Sequence, residues 1–164
     1  MPLIKANNLI IHFAHIPKCA GTSVIRYLEN FHSVSLGFYD EQFLSIPNTI
    51  NWNKTSPQHI DGLTLSRLFP INFCDRYFCI VRHPLRRLIS AFNFQQVQEK
   101  KIRSKITLDQ FIKEILTENY LESGWMESHF YPQNKFLYPQ AGYSIFKLES
   151  NGIQSVKSYL DKTL

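Results

Sequence analysis

The stretch LIIHFAHIPKCAGTS (residues 9–23) decides how this chain folds. Residues 9–16 are almost all apolar and rich in β-formers, which predicts a strand covered on both faces. A short turn follows, and residues 22–31 then carry apolar side chains at helical spacing, behind a hydroxyl residue that suits a helix N-cap. A strand, a tight turn and a helix in this order are typical of one unit of an α/β sheet.

The rest of the chain repeats this alternation. Further strands are predicted at VSLGFY (34–39), RYFCIV (76–81) and YSIFKL (143–148). Helices are predicted at DGLTLSRLF (61–69), from Pro84 to about residue 100, at TLDQFIKEILTENYL (107–121) and at IQSVKSYL (153–160). Because no hairpin signal is evident, we expect a parallel sheet flanked by helices in three layers. Residues 1–164 are expected to form a single domain.

Charge and cysteine content indicate the kind of ligand and the cellular compartment to expect. The 164 residues carry a formal charge of +5, which suits an anionic ligand and also weak association with an anionic membrane surface. The three cysteines form no CxxC pair and leave one thiol over from any disulfide, which is typical of a reducing compartment. The apolar N-terminal stretch is too short and interrupted for a signal peptide or a membrane span. We therefore expect a cytoplasmic protein.

The first turn has the composition of an anion-binding loop. Gly21 allows close backbone approach, the helix that follows offers unpaired N–H groups, and Lys18 adds a full positive charge. Thr22 and Ser23 add hydroxyl donors. The pattern departs from the phosphate loop GxxxxGK[ST], because the lysine precedes the glycine by three residues. An ordinary turn with an exposed lysine is the alternative interpretation.

The second strand–turn–helix unit, YFCIVRHPLRRLISAF (77–92), carries arginines at the matching position. Arg82 follows the strand, and Arg86, Arg87 and Ser90 lie on the helix. Arginine binds phosphate with two parallel hydrogen bonds, and a serine hydroxyl can complete the shell. One of Arg86 and Arg87 is expected to be an ordinary solvated residue. A CxxxxxR phosphatase loop is excluded, because neither Cys19 nor Cys79 has an arginine at that spacing.

Together the two motifs resemble those of sulfotransferases that use 3'-phosphoadenosine 5'-phosphosulfate (PAPS), in particular carbohydrate O-sulfotransferases of the heparan sulfate 2-O-sulfotransferase type. The resemblance covers nearly the whole chain and implies a nucleotide-kinase-like (P-loop-like) α/β fold and a transfer that needs no metal. Members usually continue beyond the last predicted helix, so the domain is expected to be short at its C-terminus. The matching residues, which the resemblance assigns to cofactor binding, are Pro17, Lys18, Ala20, Gly21, Thr22, Ser23, Arg82, Arg87 and Ser90.

The resemblance also implies roles in the transfer of a sulfuryl group to a hydroxyl of a saccharide or glycolipid. Lys18 is expected to stabilise the charge that develops on the departing nucleotide. His59 is the candidate general base, because imidazole titrates near neutrality, and His129 is the second candidate. His129 and Gln133, in HFYPQ (129–133), are expected on the acceptor or nucleotide side of the pocket. His83 and Cys19 depart from the family pattern, and Glu149 is interpreted as structural.

Three alternatives stay open at this point. A small-molecule kinase would share the sheet and an anion loop, but it should have a lysine directly before Ser/Thr and an acidic magnesium ligand. A degenerate protein would bind the nucleotide without turnover. A basic nucleic-acid-binding module is the third alternative, but no recognised motif supports it, so we expect no nucleic-acid partner. The sequence does not distinguish His59 from His129 as the base.

Overall fold

The computed structural model describes residues 2–45 and 51–164 and shows a mixed α/β fold around a five-stranded sheet. The strands are β1 (Leu3–Ala6), β2 (Leu9–Ala14), β3 (Val34–Gly37), β4 (Arg76–Val81) and β5 (Tyr143–Lys147). Their order across the sheet is β3-β1-β2-β4-β5. All four strand segments predicted from the sequence are confirmed, and β1 was missed.

The sheet is only partly parallel, so the expectation of a parallel sheet without a hairpin is wrong. β2, β4 and β5 run parallel, with Ala14 opposite Cys79 and Cys79 opposite Ile145. β1 pairs antiparallel with both β2 and β3. The hairpin between β1 and β2 turns at Asn7, whose φ of 51° is left-handed. Asparagine tolerates this conformation well, and the Asn-Asn pair was the turn signal in the sequence.

Helices cover both faces of the sheet. They are α1 (Gly21–Leu28), α2 (Gly62–Leu68), α3 (Pro84–Val97), α4 (Leu108–Phe111), α5 (Thr117–Asn119) and α6 (Gly152–Thr163), with a π-helical segment, Ile112–Leu116, between α4 and α5. Short 3₁₀ turns are Phe43–Ser45, Pro57–His59, Ile71–Phe73, Trp125–Ser128, Gln133–Phe136 and Leu148–Ser150. None of the helices in the described residues is long and apolar enough to span a bilayer.

The alternating side chains of the central strands explain the layers. Phe13 of β2 and Phe78 of β4 are paired in register and their rings stack 4.8 Å apart, in the core that α1 and α6 cover. Tyr77, one position earlier, belongs to a second core with Leu65 of α2. A third cluster joins α3 to α4. The predicted three layers, a sheet with helices on both faces, are therefore confirmed.

Local side chains cap the N-termini of two helices, α2 and α4. Asp61 caps α2, since its carboxylate accepts from the backbone N–H of Thr64 at 2.9 Å. Thr107 and Gln110 form a capping box at α4, as the threonine in the sequence predicted. α1 differs from the prediction, because it begins at Gly21 and its N-cap is Ala20, which offers no side-chain bond.

Gly62 is required by close packing at the start of α2. A Cβ there would lie 1.8 Å from the carbonyl oxygen of Leu137, which is backbone and cannot simply move aside. We expect Gly62→Ala to lower the free energy of unfolding by about 1–3 kcal/mol, as overpacking does, in urea denaturation. Gly142→Ala is the matched control, since no atom lies within 4 Å of its added Cβ. Equal stability of the two variants would contradict this packing.

Candidate functional site

A polar cavity of about 490 Å³ lies where β2 and β4 end and the loops after them begin. In an α/β sheet this edge is where ligands bind. The cavity is within the usual size range of small-molecule sites. Its lining residues are His15, Pro17, Lys18, Ala20, Gly21, Thr22, Tyr39, Glu41, Gln58, His59, Arg82, Ser90, Phe94, His129, Leu148 and Ile153.

The loop after β2 presents backbone N–H groups to this cavity. Lys18 and Ala20 both have φ of 65°, so the left-handed positions of the turn are occupied by non-glycine residues. The amides of Ala20, Gly21 and Thr22 have no backbone acceptor among residues 2–45 and 51–164. Free amides at the start of an eight-residue helix carry partial positive charge and favour an anion.

Gly21 serves this loop in a way that the sequence did not indicate. A Cβ at this position would lie 1.8 Å from the ring of His15, so the absence of a side chain makes room for that imidazole. His15 in turn stacks on Phe13, with ring centroids 5.5 Å apart. The glycine therefore allows a buried histidine to lie against the first turn of α1.

Two cations face the cavity from neighbouring loops. The Lys18 ammonium lies 3.7 Å from the ring centroid of Phe94, a cation–π contact. Arg82 donates from Nη1 to the carbonyl oxygen of Lys18 at 3.2 Å, which links the second loop to the first. Burial and then the charge of Arg82 lower the pKa of Lys18. Ser90, in the second turn of α3, also lines the cavity.

Arg87 and Gln133 hold the two loops together from beneath. Arg87 is 6% exposed and donates from Nε to the Pro17 carbonyl at 2.9 Å and from Nη1 to the Tyr131 carbonyl at 3.0 Å. Gln133 accepts from the backbone N–H of Arg82 at 3.0 Å and donates to its carbonyl at 2.8 Å. Arg86 is exposed on α3 and is the solvated residue of the arginine pair.

Three histidines meet beside the loop that follows β2. The ring centroid of His59 lies 5.0 Å from that of His15 and 5.8 Å from that of His129. Phe94 contacts His129 edge-on at 5.1 Å. The sequence separations are large, so the cluster exists only in the folded chain. No group of three His, Cys, Asp or Glu in the described part of the chain is placed to hold a metal ion.

Hydrogen bonds assign different tautomers to two of these histidines. His59 Nδ1 lies 3.2 Å from the carbonyl oxygen of His15, which can only accept, so Nδ1 carries the proton and Nε2 has a free lone pair. Gln95 Nε2 lies 2.5 Å from His129 Nδ1 and 3.4 Å from the Met126 carbonyl. The amide nitrogen donates to both, so His129 Nδ1 accepts and its Nε2 carries the proton. Of the two rings, His59 is the one whose Nε2 is unprotonated.

The environment keeps all three imidazoles neutral. Burial lowers the pKa of His59 to about 3 and that of His129 to about 2, and it lowers the pKa of His15 well below its usual value. Nearby Lys18 and Arg87 add to the first two shifts, because a second positive charge beside them is unfavourable. A neutral base therefore lies next to fixed cations.

The structure brings most of the candidate residues to one cavity and leaves three outside its lining. Lys18, His59, His129, Arg82 and Ser90 line it together with Pro17, Ala20, Gly21 and Thr22. The hydroxyl residue Ser23 is exposed on α1, whereas Arg87 and Gln133 lie beneath the loops.

Sequence reasoning missed seven residues of the lining. They are the polar or aromatic residues His15, Tyr39, Glu41, Gln58 and Phe94 and the apolar residues Leu148 and Ile153. His15 lies in the stretch 9–23, and a polar ring in a run of buried apolar residues was the signal that could have pointed to it. Tyr39 donates to Glu41 at 2.6 Å, on a segment distant in sequence from both motifs. No pattern in one sequence connects that segment to the site.

Comparison with known proteins bears on the family of the chain. The family model described as the sulfotransferase family matches residues 3–161, which is nearly the whole chain. No match was found among curated proteins or among solved structures.

The adjacent residues Arg86 and Arg87 of α3 allow a matched test of the hydrogen bonds from Arg87 to the Pro17 and Tyr131 carbonyls. We expect Arg87→Ala to lower the free energy of unfolding by roughly 1.5–3 kcal/mol, because the Pro17 and Tyr131 carbonyls lose a charged donor. Arg86→Ala, at an exposed position, should change it by less than about 0.5 kcal/mol in the same denaturant titration. A similar loss from both variants would contradict a bracing role for Arg87.

The depressed pKa of His59 predicts how stability depends on pH. Unfolded His59 binds a proton below its ordinary pKa, whereas the folded ring stays neutral down to about pH 3. Its contribution is therefore complete above about pH 6.5 and is lost as the pH falls, by up to about 1.4 kcal/mol per pH unit. His59→Gln should flatten the slope of unfolding free energy between about pH 6 and 4 by this amount. His32→Gln, on the surface, is the control, and an unchanged slope in His59→Gln would refute the prediction.

Proposed function

We propose that this chain, which belongs to the sulfotransferase family, transfers a sulfuryl group from PAPS to a hydroxyl of a saccharide or glycolipid. The observation that carries the proposal is the single cavity in which free loop amides, two cations and a neutral histidine with an available lone pair meet. Anion donors beside a proton acceptor suit the transfer of an anionic group to a hydroxyl.

The residues present fit the nucleotide. Lys18 and the amides of Ala20, Gly21 and Thr22 would hold its 5'-phosphosulfate, and Arg82 with Ser90 would hold its 3'-phosphate. Lys18 and Arg82 repel each other, because both are positively charged and face the same cavity. In the described part of the chain, no acidic residue forms an ion pair with either of them. A bound anion would relieve this repulsion. When bound, PAPS supplies the sulfuryl group that is transferred.

His59 would act as the general base. Its Nδ1–H donates to the His15 carbonyl, which leaves Nε2 to accept the proton of the acceptor hydroxyl. Burial lowers the pKa of His59 to about 3, so the ring is neutral at pH 7 but less basic than the ordinary imidazole that the sequence suggested. A bound anion beside it would raise this pKa toward neutrality. His129 offers an N–H instead, which suits a hydrogen bond to an oxygen in the cavity.

The chain's cations would stabilise the charge that develops in the loop. Lys18 and the loop amides are fixed before reaction, since Arg82 and Arg87 tie the loop carbonyls in place. Preorganised donors need no rearrangement as charge develops. The polar side chains of Tyr39, Glu41 and Gln58 in the same wall would bind further hydroxyls of an acceptor.

The first test is calorimetric titration with 3'-phosphoadenosine 5'-phosphate, with ATP and magnesium as the competing ligand. Wild type should prefer the bisphosphate. Arg82→Ala should weaken its binding by about 10- to 150-fold, the equivalent of a charged hydrogen bond of roughly 1.5–3 kcal/mol. Arg86→Ala, which lies outside the cavity, is the charge-matched control and should bind as wild type does.

The remaining outcomes separate the alternatives. Preference for ATP would favour a kinase, and absence of bisphosphate binding would overturn the proposal. Lys18→Ala should reduce turnover more than nucleotide affinity, because its charge acts most strongly on the developing anion. Tight bisphosphate binding without sulfuryl transfer to any acceptor would favour a non-catalytic nucleotide-binding protein.

A further inference from the structure

The segment that leads into His129 has a strained backbone. Met126, Glu127 and Ser128 have φ of 44°, 59° and 57°, and they follow Gly124 at 94°. Left-handed conformations of non-glycine residues are strained and persist only where the surroundings hold them. Three in succession are uncommon, since only glycine, asparagine and aspartate adopt this conformation readily. The segment therefore requires strong tertiary anchors.

The main anchor is a clamp between Glu127 and Ser56. The Glu127 carboxylate accepts from the Ser56 backbone N–H at 3.1 and 3.3 Å and from its hydroxyl at 2.7 Å. Ser56 is only 4% exposed. Hydrogen bonds to a carboxylate are among the strong ones, particularly where water is excluded.

Ser56 connects the clamp directly to His59. It is the N-cap of the 3₁₀ turn Pro57–His59, and its carbonyl accepts from the His59 backbone N–H at 2.9 Å. The His59 ring has a second anchor, the His15 carbonyl. The backbone of His59 is thus held through Ser56 by Glu127, and its ring is held by the end of β2.

The same segment also holds the neighbouring histidine. The His129 backbone N–H donates to the Met126 carbonyl at 3.1 Å, and Gln95 contacts both that carbonyl and the His129 ring. The Ser128 hydroxyl accepts from the Gly124 N–H at 2.9 Å. Two histidines from distant parts of the sequence are therefore oriented by one strained segment.

Glu127 does not touch the cavity itself. It is absent from the lining residues, and no lysine or arginine in the described part of the chain forms an ion pair with it. Within residues 2–45 and 51–164, the side-chain hydrogen bonds of Glu127 all go to Ser56. Glu127 therefore does not contact a ligand in this cavity, and its contacts can act on His59 only through Ser56.

We propose that Glu127 is a positioning residue that, through its clamp on Ser56, fixes the place and tautomer of His59. This rests on the proposed function only where it identifies His59 as the base. The hydrogen bonds between Ser56 and Glu127 belong to the folded chain, so their effect on His59 can be tested without an acceptor.

The test compares Glu127→Ala and Glu127→Gln with Glu122→Gln, an exposed carboxylate in the same segment. Two-bond ¹⁵N–¹H spectra report the tautomer of each histidine ring, and His59→Gln assigns the His59 signals. Wild type and Glu122→Gln should show His59 with its proton on Nδ1. Glu127→Ala should shift His59 toward a mixture of tautomers, whereas Glu127→Gln should largely restore the wild-type spectrum, because an amide oxygen still accepts from Ser56.

Two further measurements separate this proposal from the proposed function. Affinity for 3'-phosphoadenosine 5'-phosphate should be unchanged in Glu127→Ala, while release of sulfate from PAPS to water should fall by about 10- to 100-fold in kcat with little change in KM. An unaltered His59 tautomer in Glu127→Ala would overturn the positioning role. Failure of wild type to bind the bisphosphate would instead overturn the function. If Glu127→Ala does not fold, Ser56→Ala removes one of the three contacts and should give an intermediate shift of the same signals.

Discussion

β2 and β4 are hydrogen-bonded as a parallel pair, with Ala14 opposite Cys79, and so the loops that follow them leave the same edge of the sheet. The rest of the site depends on this pairing. It places the carbonyls of Pro17 and Lys18 within reach of Arg87 and Arg82, which are about 65–70 residues away in sequence. Neither loop has this geometry alone, since each supplies the hydrogen-bond partners that hold the other.

Positive charge from two neighbouring loops meets in the site. Lys18 and Arg82 face one cavity, and burial, followed by the charge of Arg82, lowers the pKa of Lys18. The histidines respond to the same surroundings by staying neutral, since a protonated imidazole here would be both desolvated and repelled. One environment therefore serves two purposes: it attracts an anion and it keeps a base unprotonated.

The structure departs from local preference close to this cavity. Lys18 and Ala20 take left-handed conformations in the anion loop, and residues 126–128 do so beside the histidines. Left-handed non-glycine residues also occur away from it, for example at Lys100 and Gln140, whereas the caps of α2 and α4 follow local preference. What distinguishes the 126–128 segment is three such residues in succession, a conformation that only tertiary contacts can maintain.

The sequence by itself determined the strand–turn–helix units, the two basic loops and the residues that make them cationic. These follow from periodicity and residue type, which act over a few neighbouring positions. It did not reveal the β1–β2 hairpin, because the Asn-Asn turn was the only signal and β1 has four residues. Only the tertiary structure decided that Arg87 supports the loop while Arg86 is in solvent, that His15 joins His59 and His129, and that Glu127 reaches Ser56. These contacts join residues far apart in the chain, so burial and the direction of each side chain, rather than local pattern, select them.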